Sequence, residues 1–169
     1  MRKIEQTLPF KILGFDTDNG NEFLNWRLIK YFKSREKPVE FSRSRPYKKN
    51  DNAHIEEKNW TVVRQYIGYD RLDKREMVEM LNNLYENEFD YLINYFLPSV
   101  KLTAKIRIGS KIKKKYSEPK TPFQRLIETR SLSRRTEQIL TGVFKRLNPF
   151  ELKKAVEEKI NRILKLAVK

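Results

Sequence analysis

Apolar and polar positions divide the chain into readable segments. Arg2 to Thr7 has the spacing of a helix end, closed by Pro9. Phe10 to Thr17 is short and apolar at Phe10, Ile12, Leu13 and Phe15, which predicts a strand, and Asn19-Gly20 behind it predicts a turn. Asn21 is placed to cap a helix in which Phe23, Leu24, Trp26, Leu28, Ile29 and Phe32 recur at near-helical spacing up to Lys33. Val39 to Ser42 predicts a second strand. Two strands joined through a helix form a crossover, so both should lie parallel in one sheet.

Ser42 to Asn50 holds Arg43, Arg45, Lys48 and Lys49 around a proline and is too polar to pack. A helix is expected from Asp51 or Asn52 through Trp60, Val63 and Ile67, with Gly68 as its terminal glycine. Asp73 is placed to cap one further helix, whose apolar face runs from Met77 through Leu84 and Phe89 to Phe96, and Pro98 ends it. After Pro98 the character changes. Val100 to Tyr116 alternates weakly and reads as an extended basic arm. Thr121 caps a short helix to Thr129, Ser133 opens another, and Asn148-Pro149 begins the last. That last helix carries a stripe of Leu152, Val156, Ile160, Ile163, Leu164 and Ala167 suited to helix packing. The boundary falls near Pro98, giving segments 1–98 and 99–169.

Charge sharpens this picture. The 37 Lys and Arg against 22 Asp and Glu leave a formal charge of +15, which points to a polyanionic partner. The absence of cysteine excludes a disulfide scaffold and a zinc–thiolate site, and a single His excludes a His-rich metal site. No apolar run approaches the roughly 20 residues that cross a bilayer, and the N-terminus lacks a signal-peptide core. The expectation is a cytoplasmic protein with no membrane partner.

Two carboxylates stand out against that basic background. Asp18 follows the first strand at the Asn-Gly turn, and Glu56 falls in the first turn of the helix after the basic loop. A strand-end Asp and a helix Glu are two legs of a divalent-metal site for phosphodiester chemistry, in which two ions roughly 4 Å apart clamp the attacking and leaving oxygens. No third leg is evident: Glu5 belongs to the preceding helix, and Asp16 shares the strand of Asp18. Each carboxylate also has a plainer role, Asp18 as a turn residue and Glu56 as a helix-start acid.

The run Asp16-Thr17-Asp18-Asn19-Gly20-Asn21-Glu22-Phe23 and the stretch from Ser42 through Asp51-Asn52-Ala53-His54-Ile55-Glu56 to Arg64 resemble the integrase catalytic core of bacterial insertion-sequence transposases. Tyr91 to Lys101, Gly109 to Tyr116 and Pro119 to Leu126 resemble that family's C-terminal extension. The resemblance implies an α/β fold: the C-terminal portion of a ribonuclease-H-like core, followed by a basic, mostly helical extension. It implies that Asp18 and Glu56 match the second and third carboxylates of a DDE set, with magnesium (or manganese) as cofactor and DNA as partner. The family's first Asp lies on a strand with no counterpart here. The expectation is therefore an N-terminally truncated chain that binds DNA, whose parent chemistry of strand cleavage and transfer is lost. The alternative is a nonenzymatic regulator that binds element ends, itself or the full-length transposase.

DNA contacts are expected at Arg43, Arg45, Lys48 and Lys49 in the loop, and at Lys58, Asn59 and Arg64 on the helix. At roughly 100° per residue, Lys58 and Arg64 fall roughly 200° and 80° from Glu56, so only Arg64 shares its face. Lys111, Lys113, Lys114 and Lys115, beside Lys105 and Arg107, form the densest cationic stretch, either a solvated tail or a nonspecific DNA-binding surface. Trp60 and Tyr66 read as core or partner-facing residues.

Overall fold

A computed structural model describes residues 1–17, 25–45 and 53–167, the backbone alone for 53–55. The described chain is mixed α/β and divides into two units, Met1–Tyr69 and Asp70–Lys169.

The first unit is built on a short parallel sheet. Strand β1 (Gly14–Thr17) pairs with β2 (Glu40–Arg43) in parallel, from Gly14 beside Glu40 to Thr17 beside Arg43. The pairing is the one expected of a crossover, although β1 is shorter than the apolar run before it. Only Leu13 extends the ladder backward, its carbonyl accepting from the Glu40 amide at 2.9 Å. The crossover helix α2 (Trp26–Lys33) is capped by Asn25, whose side chain accepts from the Leu28 amide at 2.9 Å. Asn21, the cap expected from sequence, lies outside the described residues.

Alternation along the strands decides what this sheet buries. Phe15 and Phe41 are in register, with ring centroids 5.8 Å apart, and the Phe32 ring of α2 lies 5.0 and 6.4 Å from them. Phe32 is fully buried, a gain of about 1.5–3 kcal/mol for a side chain of this size. Helix α1 (Arg2–Thr7) attaches to α2 through Glu5, whose carboxylate accepts from Tyr31 and Arg35. After β2 come α3 (Ala53–Lys58), a π-helical segment (Asn59–Arg64) and a closing turn, α4 (Gln65–Ile67). Gly68 ends the run at φ 75°, where a Cβ is disfavoured, as its expected capping position requires.

The second unit has a helical core. Met77 and Leu84 of α5 (Arg75–Glu86), Phe89, Leu92 and Tyr95 of α6 (Glu88–Phe96), and Val156, Ile160 and Ile163 of α9 (Pro149–Ala167) are its buried residues. The single helix expected from Asp73 to Phe96 is broken at Asn87, whose φ of −121° and ψ of −104° are not helical. Phe89 follows Leu84 by five residues, roughly 140° around a straight helix, so an unbroken helix would point them apart. The break lets both be buried, and the Asn87 side chain donates to the Asn83 carbonyl at 2.7 Å. Asp73 is not the cap either. It pairs with Arg71 at 2.9 Å, and Lys74 occupies the cap position.

Helices α5 and α6 pack on α9, so the unit boundary falls after Tyr69 and not near Pro98. Lys159 of α9 donates to Asn83 and Glu88, both at 2.6 Å, tying α9 to the α5–α6 junction. Helix α7 (Pro122–Glu128) begins with a capping box: Thr121 accepts from the Gln124 amide at 3.2 Å, and the Gln124 side chain accepts from the Thr121 amide at 2.8 Å. Ser133 caps α8 (Arg134–Arg146) as expected, and Phe144 of α8 stacks on Phe123 and Tyr95 with centroids 5.2 and 6.1 Å away. The segment expected to be an extended arm is a hairpin of β3 (Leu102–Ile108) and β4 (Lys111–Tyr116).

Candidate nucleic-acid interface

Parallel strands present their C-terminal ends on one side, which is where open α/β sheets carry their sites. In the first unit that edge consists of Thr17 and Arg43, side by side in register. The Ser44 amide donates to the Thr17 carbonyl at 3.0 Å, and both residues are buried. Arg43 and Arg45 flank Ser44 and are exposed, so the edge offers cations to solvent. Asp18 is the next residue after Thr17; it lies outside the described residues, as do Lys48 and Lys49.

Glu56 is exposed on α3, and Lys58 and Asn59 follow it, also exposed. The helical wheel that sets Arg64 near Glu56 does not hold, because Asn59–Arg64 is π-helical and its i→i+5 bonding changes the angle per residue. Arg64 is also committed elsewhere. Its guanidinium donates to the Gly68 carbonyl at 3.1 Å and lies 4.8 Å from the Tyr69 ring centroid. It closes the end of its own helix. Trp60 is half exposed, Tyr66 partly covered.

Neither acid upstream of Asp18 is idle. Glu5 is held by Arg35 and Tyr31, and the Arg35 hydrogen bond, followed by that of Tyr31, draws its pKa below the usual carboxylate range. Asp16 accepts from the Ser42 hydroxyl at 2.8 Å across the parallel pair. Among the described residues no group of three or more His, Cys, Asp or Glu side chains converges as metal ligands would.

The second basic surface is the hairpin. Ile108 pairs with Lys111, so the connection is the two residues Gly109-Ser110, with Gly109 at φ 60°. A two-residue Gly-Ser loop between alternating segments is a hairpin signal, readable in the sequence although the alternation around it is weak. Lys111, Lys113, Lys114 and Lys115 all lie on β4 and are exposed. At the base the Ser117 amide donates to the Lys101 carbonyl at 2.8 Å, and Thr103 donates to the Lys115 carbonyl at 2.9 Å. Thr103 sits in a bulge, where the register shifts between Leu102 and Ala104.

No described helix is long and apolar enough to cross a membrane. No protein-family model matches the chain, and no solved structure matches it. Over 125 residues it is 38% identical to the uncharacterized protein y4rM of Sinorhizobium fredii. That match takes in 74% of this chain and 35% of the relative, so the chain spans about a third of the length of the curated protein it resembles.

Proposed function

We propose that this chain is a DNA-binding part of a DDE-type transposase or integrase, the C-terminal portion of a ribonuclease-H-like core followed by a basic extension. The observation that carries the reading is the order strand, helix, parallel strand, helix, with the position of Asp18 directly after β1, Arg43 at the adjacent strand end, and Glu56 on the helix that follows. Exposed cations at Arg43, Arg45 and Lys58 in the first unit, and along β4 in the second, support a phosphate-rich partner.

In this reading Asp18 and Glu56 are oxygen ligands for magnesium or manganese, hard cations that favour carboxylates and water. The described residues do not by themselves make such a site. Glu5 and Asp16 hold structural hydrogen bonds, which leaves neither free to complete a carboxylate triad. The activity assigned to the chain alone is therefore DNA binding without strand joining, in the cytoplasm where bacterial DNA lies.

Fluorescence anisotropy with labelled duplex DNA tests this. The expected result is binding whose logarithm falls linearly with the logarithm of salt concentration. Asp18→Asn and Glu56→Gln should leave that affinity unchanged or slightly raised, since each removes a negative charge near phosphate. In a strand-transfer assay with magnesium and donor-end DNA, the chain alone should produce no joined product. Failure to bind duplex at low salt would refute the reading, and efficient joining would refute the restriction to binding.

A further inference from the structure

The hairpin has an unusual distribution of charge. Residues facing each other in register share a face, so Lys111, Lys113 and Lys115 of β4 stand on one face, across from Ile108, Ile106 and Ala104. Lys105, Arg107 and Lys114 stand on the other. All six cations are exposed, and none forms an ion pair among the described residues. Residues 100–117 contain no acid. Lys105 lies directly opposite Lys114, a like-charge pairing that weakens a hairpin.

A sheet that rests on a flat partner keeps one basic face and one covered face. Here both faces are basic and open, with Ile106, Ile108 and Ile112 each more than half exposed between the cations. The partner that neutralises both faces must carry negative charge on both sides of the ribbon. A two-stranded ribbon with its side chains is roughly 10 Å thick, and the major groove of B-form DNA is roughly 12 Å wide with a phosphate backbone along each wall.

We propose that β3–β4 enters the DNA major groove edge-on, Lys111, Lys113 and Lys115 facing one phosphate wall and Lys105, Arg107 and Lys114 the other. This deepens the DNA-binding reading and rests on it. An A-form RNA duplex does not fit the same device, because its major groove is deep and too narrow for side chains. An anionic bilayer is flat and reaches one face only, and the polar Gly109-Ser110 tip offers nothing to insert.

Two triple variants of the full chain test the proposal: Lys111→Gln with Lys113→Gln and Lys115→Gln, and Lys105→Gln with Arg107→Gln and Lys114→Gln. Each should lower the magnitude of the log affinity–log salt slope on duplex DNA by about 3, at about 0.9 for every phosphate no longer neutralised. Single substitutions Lys113→Gln and Lys114→Gln, one per face, should each give a step of about 0.9 and serve if a triple variant loses its circular-dichroism signature. The unaltered chain should prefer duplex DNA to an RNA duplex of the same sequence and to phosphatidylserine vesicles at equal charge. A change confined to one face, or equal binding to the RNA duplex or the vesicles, would overturn the groove. If the unaltered chain binds DNA and both triples leave the slope intact, the ribbon is wrong and the function stands; if the unaltered chain binds no DNA, both fall.

Discussion

Single residues here divide between those whose role follows from local chemistry and those assigned by distant partners. Thr121 belongs to the first kind. A Thr three residues before Gln, with Pro between, is a capping signature, and the structure realises both of its hydrogen bonds. Thr121→Ala should destabilise the protein by about 1 kcal/mol, while Thr121→Ser should retain most of it, as measured by urea unfolding. Glu5 belongs to the second kind. Its partners lie 26 and 30 residues away, and nothing near it in sequence announces them. Because its pKa is lowered in the folded state, its contribution is full above the usual carboxylate range and is lost as pH falls through the lowered value. Glu5→Gln should therefore lower the urea midpoint near neutrality and flatten its acid-side decline. Arg64 is legible as a cation but not as the closing residue of its own helix, where its guanidinium donates to the Gly68 carbonyl and lies over the Tyr69 ring.

Elements are legible where period, caps and turns agree. The glycine stop at Gly68 and the starts of α7 and α8 arise from interactions spanning a few residues, and the parallel pair follows from the crossover helix that joins its strands. The α5–α6 break is not legible, because it answers to burial against α9, distant in sequence. Lys159→Ala should expose that dependence. Removing its hydrogen bonds to Asn83 and Glu88, both carrying charge assistance, should cost about 1.5–3 kcal/mol and raise amide exchange around Asn87. The hairpin depends on its own turn. Gly109→Ala places a Cβ at φ 60°, costing about 1–2 kcal/mol locally, and faster amide exchange confined to β3 and β4 would report it.

At the scale of the molecule the two units have separate cores. The second contains Met77, Leu84, Phe89, Val156 and Ile163, all almost completely buried. Expressed alone, Asp70–Lys169 should fold cooperatively and keep its helical circular dichroism, and Phe89→Ala in it should cost about 3–5 kcal/mol. A fragment that stays unstructured would show that its core needs residues from the other unit.

The sequence by itself determined the charge balance, the strand–helix–strand order, the starts of α7, α8 and α9 and the positions of the candidate carboxylates, since each rests on residue chemistry or on interactions a few positions apart. Tertiary structure alone decided the boundary after Tyr69, the break at Asn87, the employment of Glu5 and Asp16, and the division of the hairpin cations between two faces. Those outcomes depend on which distant segments bury one another and on strand register, and a shift of one position in register would turn every lysine of β4 to the opposite face.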